Sequence, residues 1–443
     1  MASSALLTDH YELTMLDAAL RSGVAWRPAV FETFSRSLPA GRRYGVFAGL
    51  GRLLEALELF SFSPAELGFI EENRIVSPEC LSFLEGYSFS GSVEAYDEGE
   101  CYFPGSPVVT IESSFGEAVL LETLVLSICN FDSAVAAAAS RMVGAAAGRP
   151  VIEMGARRTN ELAAVAAARA AYIAGFASTS DLEAGRRYGI PTAGTAAHAF
   201  ILAHDSEEEA FSAQLDAMGT GTTLLVDTFE VERAIRRAVA LCRERGVSGP
   251  GGIRLDSGNL ATEVKEARRL LDDLGAEETK IVITSDLDEY AIEQLAGEPA
   301  DAYGVGTRVV TGSGVPTAAF VYKLVAVGDS AGELRAVEKL SPAKQSRGGK
   351  KRAFRLVNEE GEARAELLLL EGEGEPELPA DWALRPLQRR VVDGGRFGVQ
   401  PDLDATREHH RRSLRELGAA ALDLSEGEAL IETRYGLGGE ARS

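Results

Sequence analysis

The most constraining feature of the sequence is a strand pattern followed by a helix pattern, repeated seven or eight times after residue 150. Each strand candidate is a short apolar run, and the stretches between them carry apolar residues at helical spacing. A repeat of this kind is typical of a parallel sheet covered by its connecting helices, so we predict a (β/α) barrel. An open doubly wound sheet is the alternative, but no G-x-G-x-x-G sequence follows the first strand. The strand candidates are 151–153, 174–177, 190–193, 223–227, 252–256, 280–286, 301–305 and, as a possible eighth, 318–327.

Two flanking segments show other patterns. Residues 1–130 mix helix and strand patterns without the regular repeat, which is typical of a mixed α/β fold. After residue 331, strand patterns recur up to residue 370, and a charged helix pattern covers about 404–417. We therefore predict an N-terminal α/β domain over 1–130, the barrel over 131–330 and a C-terminal segment over 331–443. Within 92–147 we expect strands at 92–97 and 107–112 and two helices, near 115–128 and 132–147.

The charge balance limits the partners of the chain. Lys and Arg number 45 against 67 Asp and Glu, which gives a formal net charge of −22. Such an acidic protein is not expected to bind nucleic acid or an anionic membrane, although a local arginine cluster can still bind a small anion. The four cysteines lie far apart without a C-x-x-C pair, and the first residues lack the pattern of a signal peptide. We expect a cytoplasmic protein with reduced thiols.

Nearly every strand candidate of the repeat ends in polar residues or glycine. In a parallel barrel the carboxyl ends of the strands meet at one rim, where ligands bind. Turns are polar for structural reasons too, so one such residue carries little weight, but their recurrence predicts a ligand site at this rim. The strand ends are Glu153-Met154-Gly155-Ala156-Arg157-Arg158, Ser178-Thr179-Ser180, Gly194-Thr195, Asp227-Thr228, Arg254-Leu255-Asp256-Ser257-Gly258, Thr284-Ser285-Asp286 and Gly304-Val305-Gly306-Thr307-Arg308.

Arginine and aspartate alternate inside the fifth strand candidate. Since successive side chains of a strand point to opposite faces, Arg254 and Asp256 share one face and enter the barrel mouth together. Arg254 and Arg157 can each hold a carboxylate or a phosphate through paired N–H donors. The alternative is that these charges form ion pairs that only stabilise the rim.

The remaining rim residues suit a phosphorylated sugar. The backbone N–H groups of Gly304-Val305-Gly306-Thr307 can bind a phosphate. Asp227, Asp256 and Asp286 can bind ribose hydroxyls or a metal-bound water, or can orient a histidine. Together these residue types predict a site for a sugar phosphate accompanied by magnesium.

His198 lies a few residues beyond the strand candidate 190–193, in Gly194-Thr195-Ala196-Ala197-His198. A single histidine is more often a packed or solvated residue than a catalyst. Its position just past a strand end, near the other polar residues of the rim, makes His198 the candidate catalytic side chain.

A series of motifs in a fixed order makes the chain resemble the nicotinate phosphoribosyltransferase family. The resemblance extends from residue 8 to about residue 370. The motifs are Thr8-Asp9-His10-Tyr11-Glu12-Leu13-Thr14-Met15, Phe31-Glu32-x-Phe34, Phe103-Pro104-Gly105-x-Pro107, Leu121-Glu122-Thr123-Leu124, Glu153-Met154-Gly155-x-Arg157-Arg158, Gly194-Thr195-x-x-His198-x-Phe200, Leu225-Val226-Asp227-Thr228, Arg254-Leu255-Asp256-Ser257-Gly258 and Val321-Tyr322-Lys323-Leu324.

This resemblance implies an activity and an architecture. The activity is transfer of a phosphoribosyl group from phosphoribosyl pyrophosphate to nicotinate, coupled to ATP hydrolysis, with Mg²⁺ as cofactor and ATP as co-substrate. The products are nicotinate mononucleotide and pyrophosphate, and the reaction opens the salvage route to NAD. The implied architecture is an irregular (β/α) barrel with an additional α/β sandwich-like domain built from N-terminal and C-terminal segments. A homodimer with active sites at the interface is implied as well.

The resemblance also assigns residues to the pyridine ring. Tyr11, contributed by the neighbouring subunit, would stack on the nicotinate ring. Met154 stands where relatives that use nicotinamide carry an aromatic residue. Ser180 replaces an aspartate that those relatives direct at the amide, and a substrate carboxylate would be repelled by that aspartate. Serine at this position therefore favours nicotinate.

Further assignments concern the carboxylate and the phosphates. Arg254 would bind the nicotinate carboxylate, Arg157 the phosphoribosyl moiety and Asp256 the ribose diol. Arg36 and Lys350 are assigned to pyrophosphate or ATP phosphates, although the loop Arg347-Gly348-Gly349-Lys350 lacks the proline common in the family. The expected ligands of the 5′-phosphate are Gly304, Gly306 and Thr307, and the remaining expected substrate-binding residues are Thr195, Ser257 and Asp286.

A mechanism follows as a hypothesis. The ring nitrogen of nicotinate attacks the anomeric carbon as pyrophosphate leaves, and no protein base is needed because that nitrogen already carries a lone pair. His198 would be phosphorylated by ATP while Asp227 accepts a hydrogen bond from its other nitrogen. The alternatives are that the chain uses nicotinamide or quinolinate, or that it is a catalytically silent ligand-binding protein on the same fold.

Overall fold

The structure is a computed structural model that describes residues 3–339 and 347–436 of the 443-residue chain. The chain folds into two compact units. We call residues 1–137 with 315–443 the composite unit, because it is built from both ends of the chain. Residues 138–314 form the parallel unit. The predicted segments 1–130 and 331–443 thus both belong to the composite unit. The sequence pattern also predicts a strand over 334–340, and its last residue lies outside the described residues.

The first part of the composite unit mixes short strands with helices. The helices that begin at Pro64 and Pro78 each have a serine cap before the proline, and Ser63 and Glu66 form a reciprocal capping box at the first of them. The elements are α1 His10–Ser22, β1 Pro28–Ser35, β2 Gly45–Val46, α2 Leu50–Glu58, α3 Pro64–Glu72, α4 Pro78–Glu85, β3 Ser92–Tyr96, β4 Cys101–Tyr102, β5 Val109–Ser114, α5 Phe115–Val119 and α6 Glu122–Ala145.

The parallel unit follows the predicted strand–helix repeat. Asn160 and Asn259 cap the helices that begin at Glu161 and Leu260 through their side-chain oxygens, so both helices begin directly after the rim loops. The elements are β6 Val151–Glu153, α7 Glu161–Ile173, β7 Ser178–Thr179, α8 Leu182–Tyr188, α9 His198–Leu202, α10 Glu207–Met218, β8 Thr223–Leu225, α11 Val231–Glu244, β9 Gly252–Leu255, α12 Leu260–Asp273, β10 Lys280–Ser285, α13 Glu289–Leu295, β11 Ala302–Val305 and α14 Thr307–Val310.

The remainder of the chain returns to the composite unit with antiparallel strands and one charged helix. The charged helix was predicted near 404–417. The elements are β12 Phe320–Gly328, β13 Leu334–Ala336, β14 Lys351–Val357, β15 Ala363–Leu370, β16 Ala383–Pro386, β17 Gln388–Asp393, β18 Arg396–Phe397, α15 Leu403–Glu416 and β19 Glu432–Tyr435.

The strands of the parallel unit form one sheet in the order β7-β6-β11-β10-β9-β8, with every pair parallel. The predicted irregular (β/α) barrel is confirmed in the form of a curled half-barrel. The strand expected at 174–177 lies instead at Ser178–Thr179. The run 190–193 contributes only an isolated bridge between Thr192 and Thr179, because Pro191 has no N–H to donate to a sheet ladder.

The predicted eighth strand, 318–327, is wrong as a barrel strand. Its residues form β12, which pairs antiparallel with β1 and β13 in the composite unit. Helix α14 and a 3-10 turn separate it from β11, and its apolar run packs in a different core. An apolar run of this length has the same pattern in a parallel and an antiparallel sheet, so periodicity alone could not place it.

The composite unit contains a seven-stranded antiparallel sheet in the order β13-β12-β1-β5-β3-β17-β18. Strand β1 lies inside this sheet, between β12 and β5, and all of its residues after Pro28 are buried. Phe31 of β1 stacks on Tyr322 of β12 with ring centroids 4.7 Å apart. The two ends of the chain therefore share one hydrophobic core.

Helix α6 replaces the two helices expected near 115–128 and 132–147. The structure has a short helix at Phe115–Val119 and then the single long helix Glu122–Ala145. Among the described residues, α6 is the one helix long and apolar enough to span a membrane by length and composition, but 72% of its apolar window is buried inside the fold. Such burial is typical of a core helix of a soluble protein.

A buried charge network lies in the composite unit, and we call it the Arg355 network: Glu100, Arg355, Glu366, Arg385 and Glu416. Arg355 is fully buried and donates to Glu366 Oε1 at 2.9 Å and to the Cys101 carbonyl at 2.6 Å. Arg385 donates to both oxygens of Glu100 and to Glu416. Because burying charges costs free energy unless they are paired, this network holds β14, β15, β16 and α15 in a fixed arrangement.

Glu366 makes stability depend on pH in a defined direction. Burial raises the pKa of Glu366 from 4.5 to about 7, although the charge of Arg355 opposes that shift. Between these two values the folded state binds more protons than the unfolded state, so the free energy of unfolding falls as pH rises. Glu366→Gln has no proton to lose, so its stability relative to the wild type is expected to rise across this window.

The measurement is denaturant unfolding followed by tryptophan fluorescence at several pH values, since Trp26 and Trp382 are the only tryptophans and both lie in the composite unit. Glu362→Gln on the exposed surface is the matched control: the difference between its free energy of unfolding and that of the wild type should not change with pH. A flat difference for Glu366→Gln as well would contradict the prediction.

Candidate functional site

A cavity of about 320 Å³ opens at the carboxyl ends of the central parallel strands. Strands β6, β9, β10 and β11 each end there, so residues distant in sequence meet at one rim, as the sequence predicts. Its walls combine arginines, carboxylates, hydroxyls and glycines, and apart from Met154 they are polar. The lining residues are Met154, Arg157, Arg158, Arg254, Asp256, Thr284, Ser285, Asp286, Gly304, Gly306 and Thr307.

Arg254 is the most constrained cation of this cavity. Its side chain is 14% exposed, and each of its three nitrogens donates a hydrogen bond within the protein. Nε donates to Thr284 Oγ1 at 2.8 Å, Nη1 to Thr195 Oγ1 at 3.3 Å and Nη2 to Asp256 Oδ1 at 2.8 Å. A guanidinium has five N–H groups, so two remain for a ligand. A planar anion such as a carboxylate fits that requirement.

Asp256 is held beside Arg254. Its Oδ1 accepts hydrogen bonds from Arg254 and from the Thr284 hydroxyl, and its backbone N–H donates to Asp227 Oδ2 at 2.9 Å. Burial raises the pKa of Asp256, but the hydrogen bonds from Thr284 and Arg254 and the charge of Arg254 outweigh burial, so the net pKa lies below the ordinary value. Asp256 is therefore an anion at neutral pH, suited to accept hydrogen bonds from hydroxyl groups.

Asp227 connects this pair to His198. Its side chain is only 3% exposed; Oδ1 lies 3.2 Å from His198 Nε2, and Oδ2 accepts from the backbone of Asp256 and from Ser257 Oγ at 2.8 Å. A carboxylate can only accept, so this hydrogen bond places the proton on Nε2 and leaves the lone pair on Nδ1. The imidazole is 41% exposed at the start of α9, so Nδ1 can reach a ligand.

Gly304 and Gly306 allow a close approach at the end of β11. A Cβ on Gly304 would lie 2.5 Å from Thr284 Cγ2 and 2.7 Å from Met154 Sδ, so no larger residue fits without moving its neighbours. Thr307 begins the short helix α14 directly after this turn. Gly304, Gly306 and Thr307 line the cavity where the sequence predicts a phosphate.

Beneath Met154, the buried carboxylate of Glu153 supports the first rim loop. Glu153 accepts hydrogen bonds from the Gly155 backbone N–H and, at 2.5 Å, from the Thr179 hydroxyl. Burial raises the pKa of Glu153 above its ordinary value, and these two hydrogen bonds only partly oppose it. The loop that carries Met154 and Arg157 is thereby fixed to the end of β6.

The cavity mouth carries further charges. Arg157 and Arg158 are exposed and line the cavity. Asp286, also exposed, lies 3.5 Å from Arg308 in an ion pair. Together they form a rim at which an anion can meet several cations before it reaches the half-buried Arg254.

Eight predicted residues are not among those that line the cavity. Four of them, Thr195, His198, Asp227 and Ser257, belong to the hydrogen-bond network of Arg254 and Asp256 described above. The other four are Ser180, Tyr11, Arg36 and Lys350. Ser180 lies at the end of β7, where its backbone N–H donates to the Glu153 carbonyl at 2.8 Å. Tyr11, Arg36 and Lys350 belong to the composite unit. Tyr11 is 47% exposed on α1, and Arg36 is exposed after β1. Their assigned roles stay predictions.

Lys350 is already surrounded by carboxylates. Its ammonium lies 2.6 Å from Glu112, 3.3 Å from Glu94 and 3.4 Å from Glu371, and its side chain is 5% exposed. These charges raise the pKa of Lys350 in spite of burial, which lowers it. A phosphate would have to compete with three carboxylates for this lysine.

Three lining residues were not among the predicted site residues. These are Arg158, Thr284 and Ser285. All three lie at strand ends that the repeat pattern locates, so the signal was present in the sequence. What the pattern could not give is the direction of each side chain, and for Thr284 that direction decides its contacts.

Comparisons with known proteins agree on one family. The model of the nicotinate phosphoribosyltransferase N-terminal domain matches residues 6–130. A nicotinate phosphoribosyltransferase of Mycobacterium tuberculosis is 50% identical over 437 residues, which covers 97% of this chain and 94% of the relative. A nicotinate phosphoribosyltransferase of Bacillus subtilis is 37% identical over 364 residues, covering 81% of this chain and 74% of the relative.

A solved structure has the same fold. The crystal structure of human nicotinic acid phosphoribosyltransferase superposes with a TM-score of 0.83 at 25% identity, and the match covers 97% of this chain and 98% of that chain. The similarity therefore extends over both units and not only over the parallel one.

Proposed function

The chain belongs to the nicotinate phosphoribosyltransferase family, and we propose that it converts nicotinate and phosphoribosyl pyrophosphate to nicotinate mononucleotide and pyrophosphate, the first step of NAD salvage from nicotinate. The observation that carries this proposal is the Arg254–Asp256 pair. Arg254 keeps two N–H donors for the pyridine carboxylate, and Asp256 offers an anionic oxygen to the ribose. The two substrates would thus meet at neighbouring side chains of one cavity.

The chemistry needs positioning more than proton transfer. The lone pair of the ring nitrogen forms the bond to the anomeric carbon, while the bond from that carbon to the pyrophosphate oxygen breaks. Positive charge develops on the sugar, and the ionised Asp256 stabilises it. The turn of Gly304, Gly306 and Thr307 would bind the 5′-phosphate, and Ser180 places no anion near the substrate carboxylate.

Mg²⁺ fits this cavity as an ion that arrives with the substrate. Among the described residues, no group of three or more His, Cys, Asp or Glu side chains is arranged to hold a metal. Mg²⁺ commonly binds through substrate phosphates, water and one or two carboxylates, and Asp286 at the mouth is a suitable carboxylate. The ion would stabilise the charge on the departing pyrophosphate.

The test is product formation by the full chain with Mg²⁺, with and without ATP. We expect nicotinate mononucleotide from nicotinate, and lower kcat/KM with nicotinamide and quinolinate. A higher kcat/KM with either of these two pyridines would contradict the substrate assignment. Absence of pyrophosphate release with all three pyridines would instead favour a catalytically silent protein.

ATP would act through His198. Nδ1 carries the lone pair because Nε2 donates to Asp227, so Nδ1 can attack the γ-phosphorus of ATP while the bond to ADP breaks. Water then removes the phosphoryl group as phosphate. Phosphohistidine next to Asp227 and Asp256 would change the charge beside the ribose site, which couples ATP hydrolysis to phosphoribosyl transfer.

His198→Ala is expected to abolish labelling of the protein by γ-labelled ATP and to remove the stimulation of product formation by ATP. The measurement is retained label after gel filtration together with rates at zero and saturating ATP. His204→Ala is the matched control, because His204 lies in the same segment but its Nδ1 contacts the Phe200 carbonyl. Label on His198→Ala equal to the wild type would contradict the phosphohistidine.

The assembly and location of the enzyme are part of the same proposal. Tyr11 is half-exposed on α1, as a residue offered to a neighbouring subunit must be. A homodimer in which Tyr11 stacks on the nicotinate of the partner's site would explain that exposure. All four cysteines are buried and unpaired, in keeping with a reducing, cytoplasmic location.

A further inference from the structure

Thr284 makes contacts that the proposed function does not use. It is the penultimate residue of β10, is 3% exposed, and lies between β9 and β11 in the parallel sheet. The register pairs Thr284 with Gly304 on one side, and on the other side β9 leads into Asp256. Thr284 therefore lies level with the ribose-binding aspartate and the phosphate turn.

The direction of its hydroxyl hydrogen bonds follows from its partners. Arg254 Nε can only donate, so Thr284 Oγ1 accepts from it at 2.8 Å. The single hydroxyl proton has two acceptors, and Asp256 Oδ1 is the nearer one, with the Leu255 carbonyl at 3.4 Å. Arg254 Nη2 donates to the same Oδ1. These three hydrogen bonds form a closed ring that occupies Oδ1, and among the described residues nothing donates to Oδ2.

The methyl group of Thr284 fixes this orientation. Its Cγ2 lies 2.5 Å from where a Cβ of Gly304 would be, so the methyl fills the space that glycine leaves. A β-branched residue has few accessible χ1 rotamers, and this contact selects one of them. The hydroxyl then faces Arg254 and Asp256 without further loss of rotamer freedom.

We propose that Thr284 is a positioning residue that locks Arg254 and Asp256 into one preformed unit, so that two Arg254 N–H groups face the pyridine carboxylate and Asp256 Oδ2 faces the ribose. The inference rests on the proposed function of the cavity and extends it. In this role Thr284 acts through Arg254 and Asp256: it determines which donors and which oxygen remain available to the substrates.

Thr284→Val tests this with a side chain of nearly the same shape and no hydroxyl. Arg254 Nε loses its acceptor and Asp256 Oδ1 loses one of two donors. We expect KM for nicotinate to rise and kcat/KM to fall by about 10- to 100-fold, as for hydrogen bonds to charged groups. Thr284→Ser keeps the hydroxyl and should recover activity to within about threefold of the wild type, the remainder reflecting its freer rotamer.

Two further measurements separate positioning from general damage. Labelling of His198 by γ-labelled ATP should stay unchanged in Thr284→Val, because the His198–Asp227 contact does not include Thr284. Binding of phosphoribosyl pyrophosphate, measured by calorimetry without catalysis, should weaken in the same variant. If the valine variant folds poorly, Thr284→Ala replaces it, since alanine also lacks the hydroxyl and is smaller. It must show unchanged labelling of His198 and weaker binding of phosphoribosyl pyrophosphate.

The outcomes distinguish this inference from the proposed function. If the wild type makes no nicotinate mononucleotide, the proposed function fails. If the wild type is active and Thr284→Val equals Thr284→Ser in kcat/KM and in calorimetry, the positioning role is overturned. Loss of activity together with loss of His198 labelling would also overturn it, since that result indicates a general structural defect.

Discussion

Arg254→Met is expected to lower kcat/KM for nicotinate by about a thousandfold. Removing one partner of a buried, hydrogen-bonded charge pair costs about 2 to 5 kcal/mol, and each 1.4 kcal/mol is tenfold. Methionine takes away the donors for the substrate carboxylate. It also removes one of the two donors to Asp256 Oδ1 and the donor to Thr284 Oγ1. The loss should be smaller for nicotinamide, which carries no carboxylate. The ratio of kcat/KM for nicotinate to kcat/KM for nicotinamide should therefore fall as well.

Steady-state kinetics on both pyridines provides the measurement. Lys265→Met is the matched control, because Lys265 is an exposed cation on helix α12 and pairs with Glu298. The activity of this variant should equal that of the wild type. Arg254→Lys keeps the charge but not the planar set of donors, so we expect it to remain far below the wild type. An Arg254→Met enzyme within tenfold of the wild type on nicotinate would show that the carboxylate binds elsewhere.

Arg355→Met is expected to destabilise the composite unit by about 3 to 5 kcal/mol, the usual cost of leaving a buried charge without its partner. Arg355 is fully buried, donates to Glu366 and lies 3.5 Å from both Glu100 and Glu416. Methionine fills much of the same volume, so the loss reflects charge rather than a cavity. The loss should be larger above pH 7, where Glu366 is ionised, than at pH 5.

Denaturant unfolding followed by tryptophan fluorescence measures this loss, because both tryptophans lie in the composite unit. Arg364→Met is the matched control: it lies on β15, the strand paired with β14 of Arg355, but its ion pair with Glu362 is half-exposed and should contribute at most about 1 kcal/mol. A loss for Arg355→Met no larger than for Arg364→Met would contradict the prediction.

The sequence located the parallel strands well because each is short, apolar and bounded by turn residues. The strands at 151–153, 223–227, 252–256, 280–286 and 301–305 were found close to their observed bounds. The errors at 190–193 and 318–327 have different physical origins. At 190–193 Pro191 has no N–H for a sheet ladder, whereas 318–327 contains a true strand that belongs to another sheet. Strand pairing is decided by hydrogen bonds to distant residues, and an apolar run shows only that it is buried, not against which sheet.

The candidate site shows the same limit at the level of side chains. Alternation along β9 was enough to place Arg254 and Asp256 on one face, and their contact at 2.8 Å agrees with it. The link from His198 through Asp227 to the Asp256 backbone also agrees with the expected pairing of His198 and Asp227. Thr284 was not among the predicted site residues, because a threonine at a strand end is common in any turn. Only the register of the strands shows what its hydroxyl contacts.

The parallel unit, residues 138–314, interrupts the sequence of the composite unit, and this order along the chain limits the order in which the strands can pair during synthesis. Strand β1 leaves the ribosome early and can pair with β5, but its other neighbour, β12, is made only after the whole parallel unit. The parallel unit is continuous in sequence and can close on its own contacts in the meantime. Until β12 is synthesised, Phe31 lacks its stacking partner Tyr322, and the edge of β1 that later pairs with β12 is unpaired. A chain truncated before β12 would therefore leave the N-terminal strand β1 without one of its two neighbours.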